Sequence, residues 1–110
     1  RRQRQMCIRD SKCIVSLESV PPMFNPQGTL HGGIITTIMD ISMGHLIKNE
    51  QSAGTTLELK VNFMSAIKHE KIKCIGSFLK KGRTISTLDS KLFREDGKLA
   101  AYATSTWKIL

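Results

Sequence analysis

The spacing of apolar residues changes along the chain, and each spacing predicts a different element. Residues 12–20 alternate irregularly between apolar and polar positions, which predicts a first strand. Between residues 30 and 48, apolar side chains recur on more than one side of a helical projection, which predicts a long helix buried nearly all round. From residue 55 onward the alternation has a period of two, as in half-buried strands. We predict four further strands, at residues 55–64, 71–79, 84–93 and 99–110.

Turn signals separate these elements. Pro21 and Pro22 end the first strand, residues 80–83 (KKGR) form a basic turn, and Asp96-Gly97 is a hairpin signal. Thr29 is the candidate N-cap of the helix. Because strands joined by short turns usually pair with their chain neighbours, we predict an antiparallel meander. The fold class is therefore α+β, with the sheet wrapped around one central helix.

Asp40 is the acidic residue inside the predicted helix, and this makes it informative. A charged group among apolar side chains costs several kcal/mol unless it is paired or reaches water. One interpretation places Asp40 on a solvated edge or against a neighbouring loop. The other makes it a general base or nucleophile at the rim of an apolar pocket.

The helix begins with Gly32 and Gly33, which favours the catalytic interpretation. A helix N-terminus presents unpaired N–H groups and a partial positive charge, and glycine lets a ligand oxygen approach them, as in an oxyanion hole. On one helix Gly32 and Asp40 lie about 12 Å apart along the axis, so they cannot both contact one carbonyl carbon. If both act, the protein is a two-fold dimer in which Gly32 of one subunit meets Asp40 of the other.

Composition indicates one globular domain. Of 110 residues, 40% are hydrophobic and 24% charged. The formal charge of +8 suggests nucleic-acid binding, but the basic residues are scattered and lack interleaved aromatic side chains. A basic surface equally suits an anionic group such as coenzyme A (CoA). Apolar runs are shorter than the roughly 20 residues of a membrane span, and no signal peptide is recognised, so we expect a cytoplasmic protein.

The cysteines and histidines show no metal-site spacing. Cys7, Cys13 and Cys74 form no paired motif, and Cys13 and Cys74 fall in strand-like segments, which predicts buried free thiols. The three histidines lie at no trustworthy ligand spacing from acids or cysteines. We therefore predict no metal.

The first eleven residues, RRQRQMCIRDS, are set apart from the predicted domain. The chain begins with Arg, so we expect a fragment or a processed product. This segment resembles translated sequencing-adapter read-through, which predicts that residues 1–11 are not part of the natural protein. The alternative is a basic, mobile terminus. Either way the predicted domain comprises residues 12–110, and the segment receives no function.

One motif carries a family resemblance. Residues 25–33 read N-x-x-G-x-x-H-G-G, and Asp40 follows seven residues after the second Gly. With the strand order, this resembles the hotdog-fold thioesterases, and most closely the phenylacetic-acid-degradation-type (PaaI-like) acyl-CoA thioesterases. The resemblance extends from residue 12 to the C-terminus, although the family usually has a Pro near Ala66-Ile67. It implies a hotdog fold and hydrolysis of acyl-CoA to a free acid and CoA.

The resemblance also implies roles for individual residues. Asp40 matches the catalytic carboxylate and the Gly32 N–H the oxyanion donor. Asn25 matches a loop residue that positions the thioester or water, and Thr56 a hydroxyl that assists the carboxylate. In the family, Asn and Gly come from one subunit and the carboxylate and hydroxyl from the other. His31 is expected to shape the turn.

Binding residues are predicted around this centre. CoA phosphates are expected at three basic residues of the turn, with two neighbours shaping the pantetheine channel: Lys80, Lys81 and Arg83, with Gly82 and Thr84. His31 and Gly33 are expected beside the thioester. Acyl-pocket candidates come from the helix and second strand: Ile35, Met39, Met43 and Phe63. Alternatively, the basic residues are merely solvated and the pocket candidates merely core.

Two other functions remain open from the sequence. A hotdog-fold hydratase or dehydratase would use a His with an acid, and His31 with Asp40 is the pair available. A non-catalytic acyl-CoA sensor would bind without turnover. For the preferred function we expect an acyl-CoA substrate, no separate cofactor, no nucleic-acid or membrane partner, and a homodimer that pairs into a homotetramer.

Overall fold

The computed structural model describes residues 4–19, 24 and 26–110. Within them one helix packs on one antiparallel sheet. The strands and the helix have these bounds: β1 Arg4–Arg9, β2 Lys12–Glu18, α1 Gly32–Glu50, β3 Gly54–Phe63, β4 Lys71–Lys80, β5 Ile85–Phe93 and β6 Leu99–Ile109. The helix and the five predicted strands are thus confirmed, with boundaries shifted by up to two residues.

The prediction missed a strand at the N-terminus. β1 pairs antiparallel with β2, from Arg4 opposite Leu17 to Arg9 opposite Lys12. The hairpin turns at Asp10 and Ser11, whose φ angles are both positive, as the tightest hairpins require. No strand was predicted in residues 1–11, and that was wrong for residues 4–9. The natural or foreign origin of this segment stays a prediction.

The position of β3 also differs from the predicted meander. The order across the sheet is β1-β2-β4-β5-β6-β3, so every strand except β3 follows the chain order. β3 pairs with β6. The segment that follows β3, residues 64–70, crosses past β6 and β5 to reach β4. This crossover passes the start of the helix, where the Leu30 N–H donates to the Ile67 carbonyl at 2.7 Å. A meander would have required a tight turn there.

The helix is buried mainly on the side that faces the sheet. Its fully or nearly fully buried residues are Ile35, Ile38, Met39, Ser42, Met43, Leu46 and Ile47. Thr37 and Lys48, on other sides, are exposed, so burial nearly all round is wrong for the single chain. The N-cap is His31, not Thr29, because the helix begins two residues later than predicted. No helix in the described ranges is long and apolar enough to cross a membrane.

Small polar residues let the helix approach the sheet closely. Ser42 Oγ lies 2.8 Å from Ser90 Oγ on β5, which lies 3.0 Å from Cys74 Sγ on β4. A Cβ at Gly76 would lie 2.8 Å from the Ser42 carbonyl oxygen, so this position requires glycine. Cys13 and Cys74 are buried free thiols, as predicted. Desolvation raises the pKa of both, which keeps them protonated.

Candidate active site

The start of α1 forms one part of the candidate site. The side chain of the N-cap residue, His31, makes no capping hydrogen bond. Helix geometry leaves the first-turn N–H groups without partners inside the helix, and these include the Gly32 N–H. The first turn contains no acidic residue, so its partial positive charge is not neutralised from within the helix. Gly32 is therefore an available donor for an anionic oxygen.

A cavity of about 390 Å³ opens beside Gly32. Its wall comes from the helix start, the end of β3 and the crossover: Leu30, Gly32, Ile35, Phe63, Met64, Ser65, Ala66 and Ile67. The prediction of Ile35 and Phe63 as pocket residues agrees with this wall. Met39 and Met43, by contrast, have no exposed surface and belong to the core. The sequence analysis did not name Leu30 or residues 64–67 as pocket residues, although the family resemblance extends over them.

Asp40 lies farther along the same helix and is only partly buried. Its Oδ1 atom is shielded from solvent and has no hydrogen-bond partner in the part of the chain that the structure describes. Burial raises the pKa of the Asp40 carboxyl above its usual value, because the desolvated charged form is penalised. An unsatisfied carboxylate with a raised pKa is typical of a group that reacts with a ligand rather than one that stabilises the fold.

Thr56 lies on the same side of the molecule as Asp40. Gly44, one helical turn after Asp40, faces the Trp107 ring, which would lie 3.2 Å from a Cβ at that position. Trp107 pairs across the sheet with Thr56, and opposite residues share a sheet face. The structure thus brings Asp40 and Thr56 to the helix flank near β3, whereas Gly32 lies near the other end of β3, beside Phe63.

The remaining predicted site residues are placed unevenly. Asn25 lies outside the described residues. His31 is exposed with extended backbone dihedrals, which fits a role in shaping the turn. Gly33 is exposed, and a Cβ there would meet no atom within 4 Å, so space remains in front of the helix start.

The basic turn lies at the other end of the molecule, against the helix C-terminus. Lys81 Nζ forms an ion pair with Glu50 Oε1 at 2.6 Å, so its charge is partly neutralised. Lys80, Arg83 and Thr84 are exposed, and no ion pair involves either cation within the described ranges. Gly82 is half-buried and hydrogen-bonded to Gln51. Of the three predicted phosphate ligands, Lys80 and Arg83 are therefore the free ones.

Comparison with known proteins decides the family. The sequence profile of the thioesterase superfamily matches residues 27–101, which include the helix and most of the sheet.

The chain belongs to the thioesterase superfamily.

Curated relatives agree with this membership. Acyl-coenzyme A thioesterase 13 from Mus musculus is 35% identical over 86 residues, which are 74% of this chain and 61% of that protein. A Saccharolobus solfataricus protein, whose name assigns it provisionally to the esterases, is 38% identical over 85 residues, covering 76% of this chain and 61% of the relative. This superfamily member thus matches less than two thirds of the length of these relatives.

Solved structures confirm the hotdog fold of this superfamily member. A Streptococcus mutans protein, determined with acetyl-CoA bound, superposes with a TM-score of 0.93 at 24% identity, covering 98% of this chain and 89% of that one. The sheet order, the central helix and the crossover are therefore those of hotdog thioesterases. Within the described residues, no group of three or more His, Cys, Asp or Glu side chains is placed to hold a metal.

Proposed function

We propose that this chain is an acyl-CoA thioesterase that hydrolyses an acyl-CoA to a free acid and CoA at sites shared by two subunits. The observation that carries the proposal is Asp40, whose Oδ1 is buried without a partner in the described residues. Its pKa is raised by burial, which brings a carboxylate closer to the range in which it accepts a proton from water near neutral pH. The name of the mouse relative supports the same activity.

A two-fold dimer would bring Asp40 to Gly32. β3 is an edge strand of ten residues with unpaired backbone groups on its outer side. It also exposes apolar side chains: Leu57 is 56% exposed, Phe63 55%, and Met64, directly after the strand, 54%. Antiparallel pairing of β3 with its copy would cover these groups. It would also bring the Gly32 end of one chain toward the Asp40 and Thr56 flank of the other.

The proposed chemistry is a general-base hydrolysis. The thioester carbonyl oxygen accepts a hydrogen bond from the Gly32 N–H. Asp40 of the other subunit takes a proton from water, and the water oxygen adds to the carbonyl carbon. The carbonyl oxygen then becomes the oxyanion that the Gly32 N–H stabilises. The C–S bond then breaks, and the CoA sulfur leaves with the proton held by Asp40. Thr56 and Asn25 are proposed to orient the water and the thioester.

Direct attack by Asp40 would instead form a mixed anhydride. After a single turnover in ¹⁸O-labelled water, label in the Asp40 carboxylate would establish the anhydride route, because water that opens the anhydride at the Asp40 carbonyl leaves its oxygen there and general-base hydrolysis never does. Neither route requires a separate cofactor.

We further propose that the dimers pair into a homotetramer and that the protein is cytoplasmic.

The CoA part of the substrate is proposed to bind at the basic turn of the subunit that supplies Asp40, because within one chain this turn and Gly32 lie at opposite ends of the helix. Lys80 and Arg83 are exposed cations that suit its phosphates. The acyl group would enter the cavity beside Gly32, whose wall includes Phe63, Met64 and Ile67. Its apolar lining favours an acyl chain over a charged group.

The test is free-thiol release from short-chain, long-chain and aryl acyl-CoA esters by the wild type and by Asp40→Asn. We expect turnover that Asp40→Asn reduces by about 10²–10⁴-fold. Asp96→Asn, a matched change on the exposed β5–β6 turn, should leave turnover unchanged. Turnover that survives Asp40→Asn would refute the mechanism. Hydration of an enoyl-CoA, or CoA-ester binding without turnover, would support the hydratase or the sensor instead.

A further inference from the structure

A partly buried side-chain network anchors the basic turn to the end of the helix. Gln51 Nε2 donates to the Gly82 carbonyl oxygen at 2.7 Å, and Ser86 Oγ donates to Gln51 Oε1 at 2.7 Å. The Gly82 N–H in turn donates to Ser86 Oγ at 3.0 Å. Ser86 is fully buried, whereas Gln51 and Gly82 are half-buried, so these bonds are partly shielded from water. Both polar groups of Gly82 are therefore held by side chains from outside the turn.

The backbone at Gly82 is tightly constrained as well. A Cβ at this position would collide with the Ile85 carbonyl oxygen, so the turn folds back on β5 in a way that only glycine permits. The network thus sets the conformation of a segment that is otherwise exposed. We call Gln51, Gly82 and Ser86 the turn clamp.

The free cations stand on either side of the clamped residue. Lys80 precedes Lys81 and Gly82, and Arg83 follows directly. Lys81 Nζ is ion-paired with Glu50 and lies 5.3 Å from the centre of the Phe78 ring. Lys80 and Arg83 therefore remain available to bind an anion. The relative placement of these two charges depends on the backbone conformation of Gly82.

We propose that Gln51 and Ser86 are positioning residues for the CoA part of the substrate: through Gly82 they hold Lys80 and Arg83 in the arrangement that binds its phosphates. This inference rests on the proposed thioesterase function. Holding the turn before binding reduces the conformational entropy that the two long side chains and their backbone lose when they bind phosphate. The clamp should therefore affect binding of the nucleotide part and leave the chemical step unchanged.

The first experiment titrates CoA into the wild type, Gln51→Leu and Ser86→Ala by calorimetry. We expect the Kd for CoA to rise about 5-fold in each variant. The KM for acyl-CoA should rise in parallel at unchanged kcat. Hydrolysis of the matching acyl-N-acetylcysteamine thioester, which lacks the phosphates, should not change. Equal losses with both thioesters, or an unchanged Kd, would overturn the proposal.

Two controls separate positioning from a general loss of stability. Ser90→Ala removes a buried serine hydrogen bond from the same strand but away from the turn, and it should leave the Kd for CoA unchanged. In a background that carries both Lys80→Ala and Arg83→Ala, the effect of Gln51→Leu should shrink to less than about 2-fold, because the clamp then has neither cation left to position. A full 5-fold effect there would assign Gln51 a role independent of both cations and overturn the proposal.

The outcomes also distinguish this inference from the proposed function. If acyl-CoA is hydrolysed but the clamp variants bind CoA with unchanged affinity, only the positioning role of the clamp is refuted. If the clamp variants bind CoA more weakly but no thioester is hydrolysed, only the thioesterase function is refuted. Hydrolysis without measurable CoA binding would remove the basic turn as the docking site and so refute the clamp.

Discussion

Asp40→Asn should increase stability while it removes most of the activity. The substitution keeps the size of the side chain but removes a charge whose Oδ1 is shielded and unpartnered in the described residues. A buried polar group without a partner costs about 1–3 kcal/mol, and more if charged. Since Asp40 is only partly buried, we expect a gain at the low end, about 1 kcal/mol. For a domain of this size that is a rise in Tm of about 4 °C.

The stability gained by Asp40→Asn depends on pH, and the direction of the pKa shift of Asp40 decides where the gain appears. Burial raises the pKa of Asp40, so the folded protein binds this proton more tightly than the unfolded chain does. The destabilising contribution of the charged carboxylate is therefore absent below the usual pKa of an Asp. It develops as the pH rises from the usual pKa through the raised one and is complete above the raised pKa. The Tm advantage of Asp40→Asn should be full above the raised pKa and vanish below the usual pKa of an Asp.

The assay is thermal unfolding across this pH range at one protein concentration, because an oligomer's Tm depends on concentration. Asp89→Asn is the matched control with the opposite sign. Both of its carboxylate oxygens accept hydrogen bonds, from Ser77 at 2.6 Å and Tyr102 at 3.0 Å, so this variant should lose stability. A lower Tm for Asp40→Asn at neutral pH, or a gain in Tm that does not depend on pH, would refute the argument that burial of the charged Asp40 carboxylate destabilises the fold.

Two further substitutions test the packing and the assembly. Gly76→Ala places a Cβ 2.8 Å from the Ser42 backbone oxygen and should destabilise the fold by about 1–3 kcal/mol in urea unfolding, whereas an unchanged midpoint would contradict the close helix–sheet contact. Leu57→Asp puts a charge on the exposed edge of β3 and should convert the proposed dimer to monomers in analytical ultracentrifugation. A dimer that persists at micromolar concentration would mean that β3 is not the interface.

Local signals predicted most elements and much of the site. The helix and five strands follow from apolar spacing, because burial on one side of a helix or strand imposes a period that the sequence must carry. Asp40 was recognisable because a carboxylate in an apolar helix destabilises the fold unless it is paired or solvated. The Oδ1 atom, which has no partner in the described residues, agrees with a functional role. Gly32 was recognisable because glycines at a helix start leave the backbone accessible.

Other features depended on contacts between distant parts of the chain. The period of β3 indicated a half-buried strand, yet Leu57 is exposed, because β3 is an edge strand and a register shift interrupts its pairing with β6 at this residue. Its neighbour in the sheet, β6, is set by the crossover, and no local pattern encodes which strands become neighbours. Likewise, Gln51 and Ser86 are 35 residues apart and show no motif until folding brings them to Gly82.

The sequence alone determined the helix and five of the six strands in their order along the chain, and the chemical candidates Gly32 and Asp40, since backbone freedom and the cost of buried charge are properties of single residues in their local pattern. Only the tertiary structure decided which cations of the basic turn are free, which residues form the cavity wall and where β3 lies. These features arise from pairs of groups far apart in the chain. Their energies exist only after the helix has packed on the sheet.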